Sequence, residues 1–271
     1  MIRIIIFLLL FLLLFLLLFL LTYKVSEKYT NNIRIMNLVL FSHSDEYDAM
    51  YKLTSPYYKK HNIDTLYYTF SNTIIDDYEV HDDILYIKGN ESKIPGILDK
   101  TIKAFEYIQP YLDKYDYVVR SNISTIINFD LLKEQLMKTP IEYGGGLAFN
   151  LQWLHPESGV IDKTHWNKKF ASGTSIILSN SLVKRILDNK QYIQYDLIDD
   201  VAIGVLIHDY LSDIEVTDFS KYFIVLYNHN GHKQSIQTQI SNPNYIFYRN
   251  RCSDENRNVD AVQMKVILDI I

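Results

Sequence analysis

A single cysteine, Cys252, in 271 residues leaves neither an internal disulfide nor a cysteine-based zinc site to consider. Positive charge is also scarce: 27 Lys and Arg against 32 Asp and Glu give a formal net charge of -5. Recognition of a phosphate backbone needs a concentrated cationic surface, so nucleic acid is not an expected partner. Only 9 glycines and 6 prolines are present, and no internal repeat occurs outside one apolar segment, which excludes collagen-like and low-complexity chains. What remains is 48% hydrophobic, 14% aromatic and 22% charged, the composition of a folding chain.

One segment distorts that composition. From Ile4 to Leu21 every residue is Ile, Leu or Phe. At a rise of about 1.5 Å per residue this run spans about 27 Å, close to a bilayer hydrocarbon core. A transmembrane anchor over residues 1–22 is therefore expected. A cleaved signal peptide fits less well, because its apolar region is usually about 7–15 residues and ends in small residues. Here Thr22-Tyr23-Lys24 follows. Arg3 lies on one flank and Lys24, Lys28 and Arg34 on the other, so the orientation stays open. The expectation is a single-pass membrane protein of the secretory pathway or a host endomembrane, with a short polar stem over residues 23–32. Residues 33–271 then form the functional domain, roughly 240 residues, enough for one large α/β domain or two small ones.

Along that domain, strand character alternates with helix character. Ile33 to Phe41 is a β-branched and apolar run, followed by Ser44 as a helix N-cap with Asp45 and Glu46 in the first turn. Thr65 to Phe70 and Ile84 to Lys88 read as the next strands, the second closed by Gly89-Asn90. Leu98, Ile102, Phe105 and Leu112 follow helical spacing, which assigns Lys100, Lys103 and Glu106 to the opposite, polar side. Tyr115 to Arg120 is a strand breaking into Ser121-Asn122-Ile123-Ser124, and Thr174 to Leu178 is another, leading to the capping cluster Ser179-Asn180-Ser181. A further helix starts at Asp199-Asp200 and runs through Tyr210. Such alternation predicts a Rossmann-type α/β sandwich with a mostly parallel central sheet, whose ligands lie beyond the carboxyl ends of the strands.

Three segments are more specific, and their order and spacing carry a resemblance. Ile97-Leu98-Asp99-Lys100-Thr101 resembles a Leu-x-x-Lys-Thr helix, and Tyr117-Val118-Val119-Arg120-Ser121-Asn122-Ile123-Ser124, with Asn128 trailing, resembles a strand that carries an Asp-x-Asp metal motif. Ala171-Ser172-Gly173-Thr174-Ser175-Ile176-Ile177-Leu178-Ser179 and Asp199-Asp200-Val201-Ala202-Ile203-Gly204 resemble a Ser-Gly-x-x-Tyr-x-Leu-Ser and Glu-Asp-Val-x-x-Gly pair. These are motifs of the β-1,3-galactosyltransferase and Fringe-like glycosyltransferases, and the resemblance covers residues 94–209. It implies a GT-A fold and inverting transfer of a sugar from a nucleotide sugar, by resemblance a UDP-sugar, to a hydroxyl of a glycan, glycoprotein or glycolipid acceptor.

The resemblance makes Asp200 the general base, with Asp199 at the preceding acidic position and Ser172 and Gly173 in contact with donor or acceptor. The plainer reading is that both aspartates cap their helix and complement its dipole. It also implies Mn²⁺, yet Asn122 and Ser124 stand where the family has carboxylates, and an amide and a hydroxyl are weak, uncharged ligands. The metal ligands are thus unknown, and Arg120, with Ser121 beside it, becomes a candidate for the diphosphate unless it closes a salt bridge at the strand end. His229, His232, Arg249 and Arg251 are further phosphate candidates. Tyr143-Gly144-Gly145-Gly146 reads as a flexible turn or as a place of close ligand approach, and Trp153 and Trp166 as sugar-stacking or core residues. Asp76-Asp77 and Asp82-Asp83 read as solvated pairs, and Tyr67-Tyr68 as part of a half-buried sheet. The alternative to an enzyme is a sugar-nucleotide or glycan-binding protein on the same fold that has lost catalysis with its metal carboxylates.

Overall fold

The computed structural model describes residues 15, 33–226, 240, 244–251 and 257–271. Apart from Phe15, the apolar run lies outside the described residues, as do the stem, His229 and His232. Among the described residues no helix is long and apolar enough to cross a membrane. Arg34–Ile271 forms one compact unit.

Its centre is an eight-stranded sheet. Among the described residues the strands, in chain order, are β1 (Ile35–Leu40), β2 (Asp64–Ser71), β3 (Tyr78–His81), β4 (Ile84–Lys88), β5 (Tyr117–Asn122), β6 (Thr125–Ile127), β7 (Tyr143–Gly145), β8 (Ala148–Asn150), β9 (Lys169–Ala171), β10 (Ser175–Ser179), β11 (Val216–Asp218), β12 (Phe223–Leu226) and β13 (Phe247–Asn250). The α-helices among the described residues are α1 (Asp45–Lys60), α2 (Gly96–Ile108), α3 (Phe129–Lys138), α4 (Asn180–Asp188), α5 (Asp199–Tyr210) and α6 (Asn258–Leu268). The sheet order is β11-β7-β10-β5-β1-β2-β4-β3, with β12-β13-β6 as a second, small sheet and β8-β9 as a third.

The central sheet is mostly parallel, as expected, with six of its eight strands running one way and β10 and β3 the other. The pairs β1–β2, β1–β5, β2–β4 and β7–β11 are parallel, while β10 runs antiparallel to both β5 and β7, and β3 runs antiparallel to β4. Strand β3 escapes the periodicity because it is only four residues long and joins β4 through Asp82-Asp83, a connection too short for a parallel crossover. That turn also overturns the solvated reading for Asp83, while Asp82 is exposed as expected. Asp82 takes φ 56°, and Asp83 is buried, where it accepts hydrogen bonds from Tyr51 and Ser55 and pairs with Lys59 at 3.2 Å.

Alternation along β2 shows that both faces of the sheet are covered. Tyr67 donates to Thr54 of α1 at 2.8 Å, while Tyr68 lies 3.0 Å from Thr101 of α2, and both tyrosines are fully buried. The half-buried sheet expected from Tyr67-Tyr68 is therefore a buried one, because successive side chains meet helices on opposite faces. Capping follows the sequence more closely: Ser44 accepts from the Tyr47 N–H at 3.2 Å and Ser179 from Leu182 at 3.1 Å, and Asn128, read only as trailing the metal motif, is a cap as well, accepting from Leu131 at 3.2 Å. Asn128 thus starts α3. The glycines at 144–146 form no flexible turn, since β7 includes two of them and is buried. A Cβ on Gly145 would come within 2.6 Å of the Ser175 carbonyl, and one on Gly146 within 2.4 Å of the Phe223 ring. Their smallness serves the packing of strands.

The strand order reverses at β1. From β1 the chain builds β2 and then β4 on one side, and afterwards places β5 on the other. A crevice opens beyond the carboxyl ends of two such strands, where no connection crosses it.

Candidate active site

Leu40, Phe41 and Ser42 at the end of β1, and Asn122, Ile123 and Ser124 at the end of β5, line a cleft of about 580 Å³. All the segments that carry the motifs reach it. Lys100 comes from α2, Arg120 from β5, Ser172, Gly173 and Thr174 from the turn before β10, and Asp199 and Asp200 from the start of α5. One network connects them. Arg120 Nη2 lies 2.6 Å from Asp199 Oδ2, which also accepts from Thr101 at 3.2 Å. Arg120 Nη1 donates to the Gly173 carbonyl and, at 2.9 Å, to Asn122 Oδ1, and the Gly173 N–H donates to Asp200 Oδ2 at 2.8 Å. A Cβ on Gly173 would stand 3.0 Å from Arg120 Nη1 and 3.3 Å from Asp200 Oδ2, so glycine lets the turn lie between the two. Ser121 is fully buried, and it is absent from the residues that line the cleft.

The two aspartates do not act as an N-cap. Ile198 occupies the cap position and makes no side-chain capping bond. Asp199 is buried against Arg120, whereas Asp200 is only half-buried and lines the cleft. Burial and the adjacent Asp199 carboxylate push Asp200 up to about 6, against the Gly173 N–H and the Arg120 charge, which favour ionisation. Arg120 keeps its proton above the ordinary range: burial opposes its charge, but Asp199, Tyr68 and Asp200 outweigh that. With both Nη groups committed to protein oxygens, Arg120 holds the wall of the cleft together and does not offer a free fork to a diphosphate.

Lys100 departs from its expected place on the polar side of α2. It is 1% exposed and donates to both Glu91 oxygens at 2.7 and 2.8 Å and to the Phe41 carbonyl at 2.8 Å. Burial draws its proton affinity down, opposed by Glu91. Glu91 also accepts from the Phe70 N–H at 3.0 Å, so the pair ties the loop after β4 to the ends of β1 and β2. Glu91, Lys93 and Tyr47 line the cleft without any individual sequence signal. Lys100 did carry one, being part of the Leu-x-x-Lys-Thr match.

Asn122 and Ser124, at the positions of the resembling metal motif, do not fit a divalent cation. Asn122 Oδ1 accepts from Arg120, and Ser124 Oγ accepts from Arg249. Each uncharged oxygen therefore already faces a guanidinium. Among the described residues no group of three or more His, Cys, Asp or Glu side chains could hold a metal. Arg249 arrives on β13, whose register pairs it with Thr125 of β6, and Arg251 and Arg257 line the same cleft.

A second cavity, of about 330 Å³, shares Ser172, Ile198, Asp200 and Arg251 with the first. Its aromatic wall consists of Phe149, Trp153 and Phe170, with Trp153 42% exposed and its ring centroid 5.8 Å from that of Phe149. Trp166 instead lies under Lys163, 4.6 Å from its ring, away from both cavities.

No protein-family profile and no curated protein matches the chain. Among solved structures it is similar to a glycosyltransferase involved in glycosylation of the major capsid of PBCV-1, at 10% identity and a TM-score of 0.46, covering 86% of this chain and 98% of that one. It is also similar to a mutant Drosophila β-1,4-galactosyltransferase 7 in complex with manganese, UDP-Gal and xylobiose, at 14% identity and a TM-score of 0.37, covering 69% of this chain and 66% of that one. Scores this low do not fix a family.

Proposed function

We propose that the chain is a glycosyltransferase that moves a sugar from a nucleotide sugar, a UDP-sugar by motif resemblance, to an acceptor hydroxyl with inversion. The observation that carries this reading is the position of Asp200 on the wall shared by two cavities. The larger lies at the strand switch point, where a nucleotide is expected, and the smaller offers the aromatic surface on which a sugar ring can stack. A residue between them meets donor and acceptor together.

In the proposed step the acceptor oxygen forms a bond to the anomeric carbon as its proton passes to Asp200. The bond from that carbon to the diphosphate breaks, and the diphosphate leaves with the electron pair. A carboxylate with a pKa near 6 suits this, being mostly ionised at neutral pH yet basic enough to take a proton from the hydroxyl as it attacks. The assignment to the β-1,3-galactosyltransferase and Fringe-like group rests on the motif order, and the membrane-anchored placement on the apolar amino-terminal run. A non-catalytic nucleotide-sugar or glycan-binding protein is the second reading, favoured by the lack of carboxylates at Asn122 and Ser124.

The test is release of UDP from a panel of UDP-sugars, with and without simple glycoside acceptors, using the full chain in detergent. Acceptor-dependent release that is lost in Asp200→Asn supports the enzyme. Saturable UDP-sugar binding without release under any acceptor favours the binding protein.

A further inference from the structure

The charge lining the larger cleft is unbalanced. Lys93, Lys100, Arg120, Arg249, Arg251 and Arg257 face it, against Glu91, Asp199 and Asp200. Glu91 is matched by Lys100 and Asp199 by Arg120, while Lys93 pairs with Glu157 and Arg257 with Asp260, two acids outside the lining. The excess gathers on one side, where β13 and the start of α6 bring Arg249, Arg251 and Arg257 together. Like charges brought this close raise one another's electrostatic energy. Arg249 is 8% exposed, and burial, with Arg257 and Arg251 close by, pulls its pKa down to about 10. Arg257 is held in place by the buried Asp260, 2.6 Å from its Nε, and Arg249 by its bond to Ser124.

We infer that this arginine wall binds the diphosphate of a nucleotide ligand directly, and that no divalent cation takes part. The inference rests on the nucleotide-sugar reading and specifies how that site neutralises its anion. Guanidinium groups meet phosphate oxygens with paired, charge-assisted hydrogen bonds, so a clustered set supplies the charge and the geometry for which a metal would otherwise be needed. Ser124 makes the exchange legible in the sequence position itself. Where the resembling family places an acid for the metal, this chain has a hydroxyl that accepts from Arg249. A cation at Asn122 and Ser124 would sit beside two guanidiniums, whereas a diphosphate there places negative charge next to Arg249 and its neighbours Arg251 and Arg257.

Calorimetry on the full chain in detergent tests this with UDP in EDTA, UDP in Mn²⁺ and inorganic pyrophosphate in EDTA. The expected result is UDP binding in EDTA that Mn²⁺ does not tighten, displacement of UDP by pyrophosphate, and a loss of at least about tenfold in both affinities in Arg251→Gln. Ser124→Asp should weaken UDP in EDTA, because the new carboxylate occupies Arg249, and should gain nothing from Mn²⁺. UDP binding that requires Mn²⁺, or a Ser124→Asp variant that acquires it, overturns the inference while leaving the nucleotide-sugar reading standing. Affinities unchanged in both Arg251→Gln and Arg257→Gln also overturn it. Pyrophosphate binding without any UDP binding removes the nucleotide reading and leaves only a metal-free anion site.

Discussion

Arg120 Nη2 lies 2.6 Å from Asp199 Oδ2 inside the wall of the cleft, both side chains almost wholly buried, and this pairing separates the parts played by two adjacent acids. Asp199 is committed to Arg120 and to Thr101. Asp200, one residue on, is held by the backbone N–H groups of Gly173 and Val201 at 2.8 and 2.9 Å and lines both cavities. The ion pair thus fixes the start of α5 against β5, and the carboxylate left facing the ligand space is the one whose pKa the site raises.

Replacing Asp200 with Asn keeps the shape and the acceptor for the Gly173 N–H but removes the base. Transfer is expected to fall by at least about 10²-fold, with UDP affinity retained. The measurement is kcat for acceptor-dependent UDP release beside calorimetric UDP binding. An unchanged kcat takes Asp200 out of the mechanism.

The same residue sets the pH dependence. With a pKa pushed up to about 6, Asp200 becomes able to accept a proton as pH rises through that value, so kcat/KM should climb through about pH 6 and then level. Stability should move the other way. Between the ordinary value of 3.8 and about 6 the folded chain retains a proton that the unfolded chain has released, so this group's stabilising contribution is present below that window and lost as pH rises across it. Melting temperatures of the wild type relative to Asp200→Asn should therefore decline from about pH 4 to about pH 6.5. A difference that is flat with pH would mean that Asp200 titrates normally.

The relation between sequence and structure differs by scale. Ser44 and Ser179 cap helices through contacts three residues away, and the sequence of strand, cap and helix could be read at both. The motif order also pointed to residues that meet around Arg120, because a resemblance carries spatial information that periodicity lacks. What stayed hidden depends on partners far along the chain. Spacing along α2 assigns Lys100 to solvent, because nothing in a helical period shows that Glu91 and the Phe41 carbonyl will enclose it. Asp83 looks like one more surface acid until α1 brings Tyr51, Ser55 and Lys59 over it. Arg249 reaches Ser124 only through the pairing of β13 with β6, across 125 positions of sequence.

The buried pair yields a prediction about stability rather than turnover. Removing one partner leaves the other charged and enclosed, so Arg120→Met or Asp199→Leu alone should cost about 3–5 kcal/mol. The double variant Arg120→Met with Asp199→Leu should recover much of that loss, because no uncompensated charge remains. Denaturant unfolding of the three variants measures this. Additive losses in the double variant would show that the two side chains contribute independently and that the pair does not organise the wall.

Trp153 tests the division of the site into two halves. Its ring is 42% exposed, stands edge-on to Phe149 and borders the smaller cavity, while nothing of it lines the larger one. If that aromatic surface receives the acceptor, Trp153→Ala removes a stacking face and should raise the acceptor KM by about tenfold. UDP affinity should stay as in the wild type, because the diphosphate and nucleotide contacts belong to the larger cleft. Steady-state kinetics with varied acceptor, set beside calorimetric UDP binding, separates the two. A loss in UDP affinity of the same size would place the two cavities in a single ligand site and remove the argument that Asp200 stands between donor and acceptor.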